Sequence, residues 1–341
     1  MKKGVLLVNL GSPDSPSVKD VRKYLTEFLN DPFVIDINPI ARFFLVNFVI
    51  VPFRASKSAK LYEHIWTKEG SPLITHSIKQ KQLLQESLGN DYIVELGMRY
   101  QNPSIESAFK KLVEQKVESI IAIPLYPQWA SSSTESSIVE VNRVAKKYKF
   151  SNLKIIEKFY DDENYLNALV NVAKKYLPSP AGEGPGVRYD YFIFSYHGLP
   201  ERQIKKIYPD HCKINDNCCS MISEKNKFCY RVACYYTTRE LVKRLSIPEG
   251  KYVTSFQSRL DDKWLKPYSD KVIEQLAKEG KKKILVFSPA FVSDCLETIY
   301  EIGIEYNDLF RKYGGEKIQL VESLNENPMW IDALKKMIAE K

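Results

Sequence analysis

The 341-residue sequence lacks an uninterrupted apolar run as long as the roughly 20 residues with which an α-helix crosses a bilayer. The longest candidate, residues 39–53, contains Arg42 and Asn47. A short apolar run also follows the charged N-terminus, but Asn9 and Gly11 end it too early for a signal peptide. We therefore expect no transmembrane helix and a cytoplasmic location.

The sequence also has only a small excess of positive charge, few histidines and few segments that are typical of flexible linkers. The 50 Lys and Arg residues exceed the 42 Asp and Glu residues by only eight, and the excess is scattered. It suits an anionic small molecule or an anionic membrane surface and is too weak to indicate nucleic acid. Only residues 178–188 are rich in Pro and Gly, which indicates a surface loop or linker near the middle of the chain.

Strand-like and helix-like runs alternate along most of the chain, which is typical of parallel sheets covered by helices. The length favours about two domains, and three strand ends in the first half have counterparts in the second, such as LLVNLGSP and FIFSYHGLP. Ligands of such sheets bind at the carboxyl ends of the strands. The predicted strands are Gly4–Asn9, Tyr92–Leu96, Ser119–Pro124, Leu153–Phe159, Tyr191–Ser195, Tyr252–Phe256, Lys283–Phe287 and Lys317–Val321.

Two strand ends carry candidate catalytic groups. His197 precedes Gly198 and Pro200, which turn the chain and leave the imidazole at the rim, where it can accept a proton near neutral pH. The alternative is a histidine satisfied by a backbone carbonyl. Glu297 and Glu301 lie four residues apart on a predicted helix and so face the same side. They form either a relay for a cation or protons, or a solvated helix face.

Five of the six cysteines are crowded between Cys212 and Cys234. In a large and apparently cytosolic chain this favours a metal site over disulfides. Four thiolates within so short a segment can hold zinc or an iron–sulfur cluster. The spacing lacks the C-x2-C pairs common in zinc ribbons, which favours a [2Fe-2S] cluster, and free structural thiols are the alternative.

A further set of aromatic, basic and hydroxyl residues lies near the strand ends. Singly they are ordinary packing or surface residues. Together with the apolar stretch 43–53 they could line a cavity for a flat, apolar, anionic ligand. The set comprises Arg54, Tyr62, Ser71, Arg99, Tyr100, Tyr126, Trp129 and Trp264.

Four segments, spread over nearly the whole chain, resemble the ferrochelatases, a family of haem synthesis. These are LLVNLGSPDSPSVKDVRKYLTEFLNDPFVID, SYHGLPER, TSFQSRLDDKWLKPYSD and SPAFVSDCLETIYEI. The resemblance implies an α/β fold of two similar Rossmann-like (chelatase-type) domains, residues 1–160 and 161–341, each a four-stranded parallel sheet flanked by helices, with a porphyrin cleft between them. The C-terminal helix is expected to pack back on the body, and residues 39–62 to form a lip at the porphyrin mouth.

The resemblance also implies a lyase that inserts Fe2+ into a porphyrin, expected to be protoporphyrin IX, to form haem. His197 then either accepts the pyrrole protons or binds the incoming iron together with Glu297, and Glu301 continues an acidic path. The positions that match propionate-binding or macrocycle-contacting residues of the family are Arg54, Tyr62, Ser71, Arg99, Asn9, Leu10, Trp264 and Phe291.

The chain departs from the family pattern in two places. Cys295 stands where the motif SDHIET has a second histidine, which argues against a mechanism that needs two. Residues 211–234 form an insertion that resembles the cysteine-rich segment of certain bacterial ferrochelatases that bind [2Fe-2S]. That resemblance implies the ligands Cys212, Cys218, Cys219 and Cys229, and leaves Cys234 as a spare.

Two other functions fit the pattern less well. A chelatase that inserts cobalt or nickel into a tetrapyrrole usually arranges several histidines around the metal, and only His197 of the four histidines lies at a predicted cleft strand end. A porphyrin or haem carrier without catalysis would need the aromatic lining but neither glutamate. The lip is expected to touch a membrane, which would place the protein peripherally on the inner face of the cytoplasmic membrane.

Overall fold

The computed structural model describes residues 2–178, 188–209, 212, 214 and 217–341. The centre of the predicted linker, residues 179–187, lies outside these residues, as do residues 210, 211, 213, 215 and 216 of the predicted insertion. The chain divides into two compact units. Unit 1 comprises 1–158 together with Ile331–Lys341, and unit 2 comprises Phe159–Trp330.

Unit 1 is built on a four-stranded parallel sheet. Its strands are β1 (Lys3–Asn9), β2 (Tyr92–Met98), β3 (Ser119–Pro124) and β4 (Leu153–Ile155), in the spatial order β2-β1-β3-β4. The central strand β1 is buried throughout after Lys3, as a parallel strand covered on both faces must be. The helices are α1 (Val18–Leu29), α2 (Pro39–Phe44), α3 (Val51–Ile65), α4 (Pro72–Leu88), α5 (Ile105–Glu114) and α6 (Ser136–Lys147).

Unit 2 repeats this topology with its own strands. They are β5 (Tyr191–His197), β6 (Tyr252–Gln257), β7 (Lys283–Phe287) and β8 (Lys317–Leu320), all parallel and in the order β6-β5-β7-β8. The helices of this unit are α7 (Glu163–Lys174), α8 (Glu201–Ile207), α9 (Tyr230–Arg244), α10 (Ser269–Lys278) and α11 (Asn307–Lys312). The last helix, α12 (Pro328–Ala339), begins in unit 2 and continues into the residues that belong to unit 1. The equal strand order gives the sequence repeat a structural basis.

Each sheet is covered by amphipathic helices whose apolar faces form a core. In unit 1, Phe109 and Leu112 of α5 pack with Val141 of α6 against the sheet, and all three are fully buried. In unit 2, Ile273 of α10 and Phe310 of α11 belong to the corresponding buried core and are also fully buried. These helices leave the carboxyl ends of the strands to the loops, which carry Leu10, Arg99, Trp264 and Phe291.

The predicted α/β class and the eight strands are confirmed. The strands Ser119–Pro124 and Lys283–Phe287 have the predicted bounds. The largest difference is β4, predicted to reach Phe159, which ends at Ile155 because this edge strand is held only by three paired residues of β3. The C-terminal residues differ too, since the structure groups Ile331–Lys341 with unit 1 rather than with the second half of the chain.

A nearly continuous helix joins α2 to α3 through the π-helical segment Leu45–Ile50. The apolar stretch of the sequence covers only residues 39–53, but the helix continues past Phe53 to Ile65. Over its 27 residues it is long and apolar enough, by length and composition, to cross a membrane. Large apolar side chains are exposed along its first half, namely those of Ile40, Phe43, Phe44, Phe48, Val49 and Phe53.

Candidate active site

His197 is the last residue of β5, and its backbone pairs with Gln257, the last residue of β6. The chain turns at once, since the Gly198 N–H donates to the Gln257 carbonyl at 2.8 Å. A Cβ on Gly198 would lie 2.6 Å from that oxygen and 3.2 Å from the Trp264 ring, so glycine is required here. The Tyr230 hydroxyl donates to the His197 carbonyl at 2.9 Å. The imidazole is half-buried, and no described residue hydrogen-bonds to it.

Gln257 also connects this strand end to the two glutamates. The Ser195 hydroxyl donates to the Gln257 side-chain oxygen at 2.7 Å and thereby fixes the amide. The amide nitrogen donates to the Glu301 carboxylate at 3.1 Å and to the Glu297 carbonyl at 3.3 Å. The end of the strand that carries His197 and the helix that carries both glutamates therefore meet at the carboxyl edge of the sheet.

The helix that carries the glutamates, Glu297–Tyr306, is a π-helix and not the α-helix that the sequence suggests. Helices of this type are rare and are frequently found at functional sites. One oxygen of Glu301 accepts from the Ser258 N–H at 2.9 Å and the Tyr306 hydroxyl at 2.8 Å, and the other from the Ser258 hydroxyl and the Gln257 amide. Four donors mark a fixed carboxylate rather than a solvated helix face.

A third glutamate, Glu305, extends the row by another four residues. Its role was not predicted from the sequence, although the four-residue spacing of the glutamates repeats. Burial raises its pKa, and the charges of Glu301 and Asp270 act in the same sense. Upstream of the helix, burial also raises the pKa of the Cys295 thiol, and the neighbouring Glu297 carboxylate adds to this effect. Cys295 is therefore a neutral thiol beside a glutamate.

Trp264 and Phe291 lie in the loops that follow β6 and β7. Trp264 forms a backbone bridge with Pro200 and packs beside Gly198, directly after His197. The Phe291 N–H donates to the Ser288 carbonyl at 3.1 Å. Both aromatic side chains are half-buried, so each has a face that is not covered by unit 2.

Unit 1 brings three predicted residues together at the ends of β1 and β2. The Arg99 N–H donates to the Asn9 carbonyl at 2.8 Å, and the Tyr100 N–H donates to the Leu10 carbonyl at 2.9 Å. The Asn9 side chain is buried, accepts from the Leu10 N–H and donates to the Ser77 hydroxyl. Asn9 thus holds the loop through its side chain, and Leu10 and Arg99 sit next to it.

The Arg99 guanidinium is oriented by Asp31, a buried residue that the sequence analysis missed. Its Nη2 pairs with the Asp31 carboxylate, and its Nε donates to the Ser136 hydroxyl at 2.7 Å. Asp31 also accepts from the Tyr100 hydroxyl at 2.9 Å. Among the described residues nothing hydrogen-bonds to Nη1 of Arg99, which leaves this nitrogen able to donate to an anionic ligand.

The other predicted anion-binding residues differ in accessibility. Arg54 on α3 is exposed and forms no ion pair with a described residue. Tyr62 is buried edge-on against Tyr24, with ring centroids 6.4 Å apart. Ser71 is also buried and accepts from the Ser12 hydroxyl at 2.7 Å. Of the three residues, only Arg54 is exposed to solvent, and it is also the only one that carries a charge.

The predicted cluster ligands form two pairs of thiols. The Sγ atoms of Cys218 and Cys219 are 3.8 Å apart. The Cys229 thiol donates to Cys212, which lowers the pKa of Cys212 and raises that of Cys229. Among the described residues no group of three or more His, Cys, Asp or Glu side chains is arranged to hold a metal ion. The chemistry of the donors nevertheless fits a two-iron cluster, because all four are thiols and they lie in one segment.

A cavity of about 370 Å3 opens elsewhere in unit 1. It lies at the amino ends of β1 and β2 and is lined by Lys2, Tyr92, Glu95 and Lys111. None of the predicted site residues lines it, so it does not belong to the candidate site.

Comparisons with known proteins agree on a family. The family model described as Ferrochelatase matches residues 2–341. A relative named Ferrochelatase from Coxiella burnetii (strain CbuK_Q154) is 43% identical over 98% of this chain and 93% of its own length. One from Pseudomonas fluorescens (strain SBW25) is 43% identical over 97% and 95%, and one from Legionella pneumophila (strain Paris) is 40% identical over 100% of both chains.

Two solved structures of SirB, a sirohydrochlorin chelatase from Bacillus subtilis, also match. The structure with Fe3+ has a TM-score of 0.52 at 16% identity, and the structure of the subspecies spizizenii protein with cobalt has 0.52 at 13%. Both matches cover 100% of this chain and 95% of the other. At such identities the likeness shows a shared fold alone.

Proposed function

Because the chain belongs to the ferrochelatase family, we propose that His197 and the glutamates of the π-helix carry out its reaction. The protein is a lyase that inserts Fe2+ into a porphyrin to form haem. Insertion removes two pyrrole protons and requires iron that has shed most of its water. The observation that carries the assignment is the Gln257 link, which ties the strand end bearing His197 to the helix of Glu297 and Glu301.

His197 is suited to accept a pyrrole proton. Its carbonyl is anchored by Tyr230 and its strand by Gln257, so the backbone is fixed while the imidazole remains available. An imidazole is a base whose unperturbed pKa lies near neutral pH. Binding of the incoming Fe2+ is the other role open to this side chain, and both roles require it in the chemical step.

Glu297 and Glu301 divide the electrostatic work. Glu301 is held by four donors and acts as a fixed negative charge that favours the approach of Fe2+. Glu297 is half-buried, and no described residue other than Cys295 is shown to hydrogen-bond to its carboxylate, so that carboxylate can meet the metal or a proton. The two glutamates on one helix edge thus favour the delivery of Fe2+, while the protons of the neutral pyrrole N–H groups pass to a base such as His197.

The residues of unit 1 supply contacts for the porphyrin carboxylates. Arg99 offers Nη1, and Arg54 offers an exposed guanidinium. Guanidinium groups pair well with carboxylates. Leu10 and the buried Asn9, Tyr62 and Ser71 shape the same end of the unit, and in unit 2 Trp264 and Phe291 offer apolar faces to the macrocycle.

Steady-state metal insertion by the purified protein tests this function. With Fe2+ and protoporphyrin IX, haem formation should be saturable in both substrates. Parallel assays with Co2+ and Ni2+ check metal preference. Porphyrin binding without turnover would instead support a carrier, and turnover confined to cobalt or nickel would support another chelatase.

We further propose that Cys212, Cys218, Cys219 and Cys229 hold a [2Fe-2S] cluster. Support comes from the four thiols of one segment, which lie in two pairs. When bound, the cluster would cross-link this segment, because metal binding and local folding are coupled, and we expect no electron transfer during chelation. Cys234 is fully buried on α9 beside the Tyr230 hydroxyl and serves packing.

Anaerobic purification tests the cluster. The protein should be coloured, contain iron and acid-labile sulfide, and give an EPR signal after reduction. Serine at any of the four ligand positions should abolish the signal, whereas the matched control Cys234→Ser should retain it. Stoichiometric zinc without iron or sulfide would contradict the cluster and leave the chelatase function intact.

We also propose that the helix Pro39–Ile65 contacts a membrane surface peripherally, which would place the protein on the inner face of the cytoplasmic membrane. Its later half is anchored to unit 1, since Val51, Ala55 and Ala59 are buried there. The exposed aromatic residues of its first half suit the interface between head groups and acyl chains. An anchored helix with one apolar face is suited to lie on a bilayer rather than to cross it.

Vesicle flotation tests the membrane contact. Wild-type protein should float with anionic vesicles, and the variant Phe43→Ser, Phe44→Ser, Phe48→Ser should not. A matched control is Val139→Ser, which changes an exposed apolar residue of α6. Equal flotation of all three proteins would restrict the helix to substrate contact or packing.

A further inference from the structure

Arg231 is a buried cation in contact with one of the proposed cluster ligands. Its side chain lies in the first turn of α9 and is almost inaccessible, with 5% of the residue exposed. Its Nη1 donates to the Sγ atom of Cys219 at 3.1 Å. A guanidinium is always charged, so this contact places a fixed positive charge directly against a ligand sulfur.

The guanidinium is held in place by its own helix. Nη2 donates to the Tyr235 hydroxyl at 3.2 Å, and the guanidinium carbon lies 4.8 Å from the centre of the Tyr235 ring. Tyr235 follows one helical turn after Arg231, so the two side chains share a face. Arg231 is therefore a preorganised donor to Cys219 and not a mobile surface charge.

The start of α9 adds a second positive influence. Cys229 is the residue that caps this helix, directly before its first residue Tyr230. The amino end of a 15-residue helix carries a partial positive charge and favours anions. Of the four proposed ligands, Cys219 thus lies beside the Arg231 cation, and Cys229 lies at the helix end that favours negative charge.

We infer that Arg231 compensates the charge of the cluster through its hydrogen bond to Cys219 and raises the reduction potential of the cluster. This inference rests on the cluster proposed above. Reduction of a [2Fe-2S] centre adds one electron and hence one negative charge, which a buried cation and an N–H···S bond stabilise. Hydrogen bonds to the sulfurs and the net charge are established determinants of such potentials.

Arg239 provides a matched control on the same helix. Its Nη1 donates to the backbone carbonyl of Cys219 at 3.1 Å, and not to the sulfur. Loss of Arg239, like loss of Arg231, removes one positive charge from the surroundings of Cys219. Only loss of Arg231 removes the bond to the ligand sulfur, so the two arginines separate the hydrogen bond from the general effect of charge.

An EPR-monitored titration of full-length protein with dithionite tests the inference on Arg231→Met, Arg231→Lys and Arg239→Met. Arg231→Met should shift the equilibrium between oxidised and reduced cluster at least tenfold toward the oxidised form, which is about 59 mV for one electron. Arg231→Lys keeps the charge but loses the planar fork, and should shift less. It also serves as the measured variant if Arg231→Met fails to fold. Arg239→Met should stay within about threefold of the wild type.

Three results would overturn the inference. Unchanged reduction potentials in both Arg231 variants, with the cluster present, would overturn this inference and leave the cluster proposal intact. Equal shifts in Arg231→Met and Arg239→Met would assign the effect to charge in general. Wild-type protein without iron and acid-labile sulfide would overturn the cluster proposal together with this inference, and the metal analysis identifies that case before any titration.

Discussion

Replacement of Gly198 by alanine should damage the active site by a purely steric route. The backbone of Gly198 is not in the left-handed region, so alanine can adopt its conformation. The added Cβ would, however, lie 2.6 Å from the Gln257 carbonyl oxygen. The same oxygen accepts the Gly198 N–H, so it cannot simply turn away without loss of that bond.

The size of the effect follows from this contact. The Cβ and the oxygen must separate by about 0.4 Å to reach 3.0 Å, the limit for real Cβ contacts. Overpacking of this kind costs about 1–3 kcal/mol, which corresponds to a decrease of roughly 2–12 °C in the unfolding midpoint of a unit of this size. Because a 1 Å misplacement can cost about 100-fold in rate, a shift of this size next to His197 should lower kcat about tenfold.

Haem formation and thermal unfolding of Gly198→Ala measure both effects. Gly303→Ala is the matched control, because a Cβ there meets only the Thr298 carbonyl at 3.7 Å, which is ordinary contact. If Gly198→Ala retains the wild-type kcat and unfolding midpoint, the close approach of the two strand ends is wrong, and with it the reasoning that fixes His197.

Two further predictions concern the π-helix. Glu301→Gln should lower kcat by about tenfold or more and reduce stability by roughly 1–3 kcal/mol, because an amide N–H2 would face donors that the carboxylate now satisfies; unchanged kinetics and unfolding would refute its role as a fixed charge. For Glu305→Gln, the reason is that the pKa of Glu305 is higher in the folded protein than in the unfolded chain. Once the pH exceeds the pKa of the unfolded chain, ionisation of Glu305 therefore opposes folding. The variant should therefore be more stable than the wild type at pH 7.5 and not at pH 4, and an equal difference at both values would contradict the pKa shift.

Much of the fold could be predicted because buried parallel strands are marked by continuous apolar runs. The run Val5–Val8 is an example, since both faces of β1 are covered. Strand ends were also predictable from the turn residues that follow them, as at Gly198. The grouping of Ile331–Lys341 with unit 1 was not predictable, because the order of segments along the chain does not reveal to which unit a terminal helix belongs.

The candidate site was predictable only in part. The spacing of Glu297 and Glu301 placed them on one helix face, but nothing in the sequence distinguishes a π-helix from an α-helix. Gln257, Asp31 and Arg231 were missed because their importance arises from partners distant in sequence. The long helix was underestimated since only consecutive apolar residues were counted.

The central claim, that His197 acts in the chemical step, is tested most directly by His197→Ala. Its kcat for insertion of Fe2+ into protoporphyrin IX and its Kd for the porphyrin should be measured on the same preparation. A group that acts mainly in the transition state changes kcat more than ground-state binding. We predict a loss of kcat of at least about 100-fold, within the range expected for a general base, with the Kd within about threefold of the wild type. A kcat that stays within a few-fold of the wild type would contradict the account.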